Sequence, residues 1–510
     1  MKQANMDQLQ LRLQTNQQPL PGNIVLPLTP GMDATAYIRI LESLTDSHFE
    51  LSVGVFEAKA GEVFRWVHPD GSIYLLGLGN EPTNAGIYKV FRTFTFGLRK
   101  QPVTELGVVL IPELSKSTLH PIARCLEYMV NGIVTGTNTL NVSADPTDKH
   151  PLKSVSVIME SDLHTNESVL GLMQRVQRAQ IIGEAQLHAM HLINIPSNWK
   201  NPLQFTDTVV DSARAFGFHC EIFDEHRLKE ERFDALLAVN RGSEHPARFL
   251  VLQYDGTTET VSENNPLIAL IGKGVTYDTG GLSMKPSESM VHMKCDMAGA
   301  AIVLAVTEAV ARLGFPIRLI TAIPLTDNLV DARSIKPGDI IGSYAGKSIE
   351  VIDTDAEGRL ILADAISWVV KNTSPDCMID VATLTGAAVR TFGSHAAAVF
   401  CNNTSVEKRL IESANQSGER IWPLPLWNEY SDDIKSDIAD VKNFSGKPTA
   451  GSISAAKFLE YFTDGHEAWA HLDVAGTVFG DTEFGKQKNA TGYGVRLLVD
   501  FIGKLAGETN

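Results

Sequence analysis

Cysteine is scarce in this 510-residue chain: five residues, Cys125, Cys220, Cys295, Cys377 and Cys401, with no C-x-x-C pair among them. An odd, scattered set of this kind argues against a disulfide framework and reads as reduced thiols. Basic residues are also outnumbered, 44 Lys and Arg against 60 Asp and Glu, for a net charge of −16. That balance argues against general affinity for nucleic acid, because phosphate binding needs a basic surface. No run of eighteen apolar residues occurs, and the polar, glutamine-rich first twenty residues lack the apolar stretch of a secretory signal. No membrane association is expected, and the expected location is the cytoplasm.

Several catalytic signatures are missing as well. There is no G-x-S-x-G elbow for a serine nucleophile. Lys273 follows an apolar run as a P-loop lysine does, but Gly274 stands where Ser or Thr is needed, and Tyr277 breaks a dinucleotide-binding G-x-G-x-x-G. His466-Glu-Ala-Trp-Ala-His471 is one residue too long for a zincin helix, which needs histidines four apart on one face. His188 and His191 have no neighbouring ligands in sequence, so packing is the expected role. The cysteines have no assigned base, which leaves a thiol nucleophile without support.

What is present is a soluble α/β pattern, with 44% hydrophobic and 20% charged residues. The length suggests two domains. In the first third, GNIVLPLT, HFELSVGVF, SIYLLGLG, ELGVVLIP and SVSVIME are strand-like, and NAGIYKVFRTFTFGLRK and HPIARCLEYMVNGI helix-like. We expect a smaller N-terminal α/β domain over 1–165 with an assembly or regulatory role. A long linking helix is expected over 166–195, ending at Ile195-Pro196. Residues 196–510 form a larger catalytic α/β domain. Its apolar strands RFLVLQYD, NPLIALIG, IRLITAIPL and CMIDVATL alternate with helices, as in a mixed, largely parallel sheet covered by helices.

Two polar clusters follow those strands, where open α/β sheets place their ligands. One is Lys273, Asp278, Lys285 and Asp296; the other is Asp355, Glu357 and Arg359. The alternate spacing of the second set puts its side chains on one side if the backbone is extended. Four carboxylates together repel unless cations lie between them, and two divalent ions balance them. Each residue also has a plainer reading: Asp296 as a cap for the helix beginning at Met297, Asp355 and Glu357 as solvated loop charges, Lys273 and Met293 as structural. The seven together point to a two-metal hydrolase, with a phosphoesterase also compatible with the carboxylates.

GKGVTYDTGGLSMKP, KCDMAGAA, DTDAEGRLILADA and DVATLTGA resemble the segments that define the leucyl (cytosol) aminopeptidase family, and HLINIPSNW, WPLPLWNEY, KSDIADVKN, GSISAAKFL, WAHLDVAG and ATGYGVRLL extend the likeness over about 180–505. The resemblance implies a metalloaminopeptidase that cleaves the N-terminal residue of peptides, leucine-like with broad specificity, through a metal-bridging hydroxide. It implies one metal on Lys273, Asp278, Asp296 and Glu357, and a second on Asp278, Asp355 and Glu357. Zinc or manganese, or else magnesium, would fill both. Lys285 would polarise the carbonyl and Arg359 would hold a bicarbonate proton shuttle. Met293, Thr383, Leu384, Gly386, Ala475 and Val478 would surround the substrate's first side chain, and the assembly would be a homohexamer. Some relatives combine peptidase activity with DNA binding in recombination, which is the alternative function. Three positions depart from the family pattern: Asp353 replaces asparagine, His191 a frequent arginine, and Cys295 a small residue. They suggest altered metal binding, a missing salt bridge and thiol sensitivity respectively.

Overall fold

The computed structural model describes residues 9–15, 20–32, 42, 56–110, 122–138, 149–159, 168–257, 265–481, 484 and 487–508. The protein is α/β and divides into two compact units, Ala4–Glu184 and Ala185–Asn510, with the division inside helix α3 (Val169–Asn194). Among the described residues no helix is long and apolar enough to cross a membrane.

The first unit contains a six-stranded sheet: β1 (Gln10–Thr15), β2 (Asn23–Leu28), β3 (Val63–His68), β4 (Gly71–Gly77), β5 (Glu105–Leu110) and β6 (Ser154–Met159), in the order β1-β6-β5-β2-β4-β3. Only the β3–β4 pair is antiparallel. Helices α1 (Asn84–Leu98) and α2 (Ile122–Gly136) lie where the apolar period places them. Thr83 starts α1 by accepting the Gly86 N–H at 3.2 Å, the usual satisfaction of an orphan donor. β1 comes from the glutamine-rich start, where no element is expected; Leu11 and Leu13 are half-buried and the strand pairs in register with β6. A partner strand, rather than local hydrophobicity, makes it a strand. Residues 48–55 of the expected strand HFELSVGVF lie outside the described residues.

The second unit is built on a nine-stranded sheet: β7 (His219–Phe223), β8 (Arg248–Asp255), β9 (Leu267–Gly272), β10 (Gly274–Asp278), β11 (Arg318–Asn328), β12 (Cys377–Ala382), β13 (Ala397–Cys401), β14 (Ile421–Pro423) and β15 (Trp469–Asp473). The order is β14-β13-β15-β12-β9-β11-β8-β7, with β10 also on β11. Its centre, β15-β12-β9-β11, is parallel, and antiparallel pairs flank it at β13 and β8. Helices α4 (Ala298–Leu313) and α5 (Glu357–Thr373) contact the central strands. Both are buried almost throughout. Phe223, Phe249 and Trp368 pack edge to face at 5.3–5.6 Å, a geometry their quadrupoles favour. Because the central strands are buried on both sides, polar side chains reach solvent only past their ends.

Both histidines of α3 have structural surroundings. His188 Nδ1 lies 2.9 Å from both oxygens of Glu308 on α4, and Ser212 donates to the same carboxylate. Burial works against its charge, yet Glu308 carries its pKa above the ordinary value. His191 goes the other way: burial, then His188 and Lys200, push it down to about 4. An arginine here would be a permanent cation beside two others; a histidine can stay neutral. The unfolded chain therefore binds a proton that folded His191 refuses between about pH 6.5 and 4. Stability contributed by this group is full above that window and lost as pH falls through it, on the order of 3 kcal/mol. His191→Gln should flatten the acid limb of a pH–stability curve between pH 6.5 and 4, read by denaturant titration; an unchanged slope would refute this.

Candidate metal centre

The site residues arrive at one place from the carboxyl ends of different parallel strands. Lys273 follows β9, Asp278 closes β10, Asn328 closes β11, and Thr383 follows β12. Asp296 ends a short 3-10 turn, Met293–Cys295, just ahead of α4. α4 is capped at Met297 without a side-chain bond, so Asp296 does not serve as the cap. Its Oδ1 instead accepts from Lys273 Nζ at 2.9 Å and from Thr383 Oγ1 at 2.8 Å. Lys273 Nζ also donates to the Thr383 carbonyl at 2.9 Å and lies 2.8 Å from Glu357 Oε1. Lys285 sits 2.7 Å from Asp278 and also pairs with Asp355. One oxygen each from Asp278, Asp355 and Glu357 fall within 4.8 Å of one another.

The extended-backbone reading of Asp355, Glu357 and Arg359 is corrected here. α5 begins at Glu357, so Glu357 and Arg359 are roughly 200° apart around its first turn. Asp355 and Glu357 meet because a turn leads into that helix, whose N-terminus favours an acid. Arg359 points elsewhere, its Nη1 donating to the Asn443 carbonyl at 2.8 Å. Burial lowers it to about 10 against the support of Glu357, Asp353 and Asp473.

Two glycines are required by the packing. Gly280, at φ +85°, turns the chain after Asp278, and its N–H donates to Asp278 Oδ1 at 2.8 Å. Gly358 leaves room for Lys273: a Cβ there would lie 2.5 Å from its Cε and 2.6 Å from its Nζ.

The electrostatics show more negative charge than the two lysines absorb. Burial opposes the charge on Lys273, but Asp296, Glu357 and Asp278 hold it raised, and Lys285 is held raised in the same way by Asp278, Glu357 and Asp355. Glu357 is buried, yet the two lysines draw it below its ordinary value. The other acids go up. Burial and then Glu357 and Asp278 push Asp355 to about 7; burial and Glu357 raise Asp278; burial raises Asp296 well above the carboxylate range despite Lys273. Glu357 Oε2 is buried without a hydrogen-bond donor, whereas Asp296 Oδ2 pairs with Lys273 Nζ at 2.8 Å. Buried acceptors left bare are costly, and a surplus of packed carboxylates calls for cations. Oxygen-rich donors with a single amine suit zinc, manganese or magnesium. The residues fit a pair of divalent ions.

Three supporting residues were not singled out from the sequence. Asn328 Nδ2 donates to Asp278 Oδ1 at 2.8 Å and to the Thr354 carbonyl at 3.0 Å. Thr354 donates to the Gly280 carbonyl at 2.7 Å. Asn443 ties Asp353 and Ala356 while accepting Arg359. The signal for Asn328 was its place at the end of an apolar strand; Asn443 lies in KSDIADVKN with no spacing cue. Of the departures, Asp353 uses Oδ1 to accept the Asp355 N–H at 2.9 Å, a turn that asparagine would also make. Cys295 is buried, and burial with Asp296 pushes its thiol up to about 12. Almost none is thiolate at neutral pH, so the expected thiol sensitivity is not supported by this environment. Iodoacetamide should leave Cys295 unlabelled in the folded protein and label it after denaturation, as read by mass spectrometry.

The residues expected around a substrate side chain are spread over three segments. Met293 is half-buried on the turn that presents Asp296; Thr383 and Leu384 lie in the loop after β12; Gly386 begins helix α6 (Gly386–Phe392) and is exposed. Ala475 is half-buried and Val478 buried beyond β15. Thr383 is the one of the six that bonds directly to the lysine and aspartate.

This strand-end cluster of acids and lysines defines a class of hydrolase, and sequence comparison places it more closely. Residues 187–499 match the catalytic domain of the cytosol aminopeptidase family. A "Probable cytosol aminopeptidase" of Chlorobium phaeobacteroides is 39% identical over 478 residues, 90% of this chain and 93% of the relative. Another, from Chlorobaculum parvum, is 46% identical over 322 residues, 63% of each chain. Among solved structures, "Bottromycin maturation enzyme BotP in complex with Mn" superposes with a TM-score of 0.82 at 28% identity, covering 96% of this chain and all of that one. The chain belongs to the cytosol aminopeptidase family and is a peptidase, an aminopeptidase by its relatives.

Proposed function

We propose that the protein is a two-metal aminopeptidase that removes leucine-like residues, with broad tolerance, from the N-termini of peptides. The observation that carries this is the surplus of buried and half-buried carboxylates: three acids raised despite two neighbouring lysines, with a bare oxygen on Glu357. Lys273, Asp278, Asp296 and Glu357 would hold one ion, and Asp278, Asp355 and Glu357 the other. Zinc or manganese suits these donors, with magnesium as a further candidate. Such a pair supplies an activated water at neutral pH and neutralises the charge that develops on the scissile carbonyl.

The chain's own groups divide the rest. Lys273 would give up its proton if a cation took its place among the same acids, and its amine would then serve as a ligand. Lys285, a cation held by Asp278 and Asp355, would polarise the substrate carbonyl, the kind of electrostatic assistance worth most in acyl transfer. Arg359, buried beside Glu357 with its Nε unpaired, would hold a bicarbonate that shuttles a proton. Met293, Thr383, Leu384, Gly386, Ala475 and Val478 would receive the first side chain; small and apolar walls discriminate only modestly. We place residues 1–165 in assembly of a homohexamer or in regulation, with 166–195 as the linking helix and 196–510 as the catalytic part. A cytoplasmic location accords with the reduced cysteines.

The test is hydrolysis of leucine-p-nitroanilide before and after dialysis against chelator, then with Mn²⁺ or Zn²⁺ restored. Activity should vanish with the metal and return with it. Chelator-resistant turnover, or none under any metal, would defeat the proposal.

A further inference from the structure

β12 and β15 run parallel with Asp380 opposite His471 and Ala382 opposite Asp473. Trp469, His471 and Asp473 share one side of β15. Asp380 ties the pair at mid-strand: it accepts His471 Nδ1 at 2.6 Å and the Trp469 indole N–H at 2.8 Å, all three groups being fully buried. The last ladder bond runs from Val474 N–H to the Ala382 carbonyl at 2.8 Å. Beyond it the two strands part as loops, one carrying Thr383 and Leu384, the other Ala475 and Val478.

A single carboxylate spans that parting. Asp473 is 1% exposed. Its Oδ1 takes the N–H groups of Leu384 (3.2 Å), Thr385 (3.4 Å) and Ala475 (3.3 Å), and its Oδ2 takes the Thr385 hydroxyl (2.7 Å). Thr385 Oγ1 in turn accepts the Ala388 N–H at 3.1 Å, starting α6, and lies 3.1 Å from Ser452 Oγ. Two residues earlier, Thr383 offers its carbonyl to Lys273 and its hydroxyl to Asp296. The same three-residue loop is thus fixed to the reacting centre at Thr383 and to the neighbouring loop at Leu384 and Thr385.

The geometry points to Asp473 as a positioning residue that sets the selectivity of the aminopeptidase for the substrate's first side chain, by clamping the Leu384 and Ala475 loops at a fixed distance from the metal-binding acids. It rests on the function proposed above and adds a role for a residue that touches neither substrate nor metal. A carboxylate can accept all four donors with full charge; an asparagine offers one neutral oxygen and an NH₂ that Thr385 can accept only by turning its own proton away, so Asp473→Asn weakens the clamp. Loosening a wall of the pocket affects a large side chain, which fills it, more than a methyl group, which does not.

The experiment compares kcat and KM for leucine-, methionine- and alanine-p-nitroanilide on metal-loaded wild type, Asp473→Asn, Thr385→Val and Thr385→Ser, with metal content measured for each. We expect Asp473→Asn to lower the leucine-to-alanine ratio of kcat/KM by about five-fold or more, chiefly through KM for leucine, at unchanged metal content. Thr385→Val should shift the ratio the same way, and Thr385→Ser, which keeps the hydroxyl, should restore it. A ratio unchanged in both Asp473→Asn and Thr385→Val, whether or not overall activity falls, overturns the inference; if Asp473→Asn does not fold, Thr385→Val decides. A wild type inactive on all three substrates defeats the aminopeptidase reading itself, and is thereby distinguished from failure of the clamp alone.

Discussion

Glu357→Gln should reduce turnover of leucine-p-nitroanilide by on the order of 10³-fold or more, with metal content falling below two ions per chain. The residue sits on both expected coordination sets, is 1% exposed, and presents one oxygen to Lys273 and another to no partner. It is also the acid that the lysines draw below its ordinary value, hence the one most surely ionised. Replacing it has a second, separable effect. Lys273 keeps Asp296 but loses a buried counter-ion, which costs about 3 kcal/mol, the lower end for a broken buried pair. Metal-free Glu357→Gln should therefore melt earlier than metal-free wild type. Full activity with two ions bound would show that the centre is built elsewhere; a stability unchanged without metal would show that the lysine is not held as described.

Gly358→Ala should cost activity and, in the metal-free protein, stability as well. The added carbon would stand 2.5 Å from Lys273 Cε, and what it meets is the tip of a flexible side chain rather than backbone. The lysine can move, but only by leaving Asp296, Glu357 and the Thr383 carbonyl, which now fix its amine. Displacement of this order at a reacting centre costs about 10²-fold. An alanine is otherwise welcome in a helix, being favoured over glycine by about 1 kcal/mol. The expected signature is a fall in kcat together with a lower melting temperature of the metal-free protein, since the helix gain offsets only part of the lost buried pairing. A variant as active as wild type would mean that Lys273 need not stay where the structure has it.

The parts of this architecture that sequence discloses are those whose periods are decided locally. β8, β9, β11 and β12 are continuous apolar runs, and α4 and the latter part of α5 follow a helical period. Their order already implies a parallel sheet with chemistry at its carboxyl edge. β1 is different: QLRLQT becomes a strand only because β6 is beside it, and no local property announces that. The site divides in the same way. Seven charged residues stood out through their types and their glycine-rich settings, whereas their roles in space did not follow. Glu357 and Arg359 look like neighbours on one side of a strand and instead project to different sides of a helix turn. Asp296 looks like a cap and is an ion-pair partner. Asn328, Asn443 and Asp473 carry no charge pattern or spacing that marks them; their importance comes from the hydrogen bonds that only the assembled sheet creates.

Because the acids enter from β10, from the turn before α4 and from the start of α5, the pocket is completed only when residue 357 has joined strands laid down some eighty residues earlier. A chain still emerging from the ribosome, or one truncated before α5, holds Lys273, Asp278 and Asp296 but has no way to finish the cage. Under the proposed function, a copy that stops short of α5 would therefore lack the acid shared by both expected metal positions.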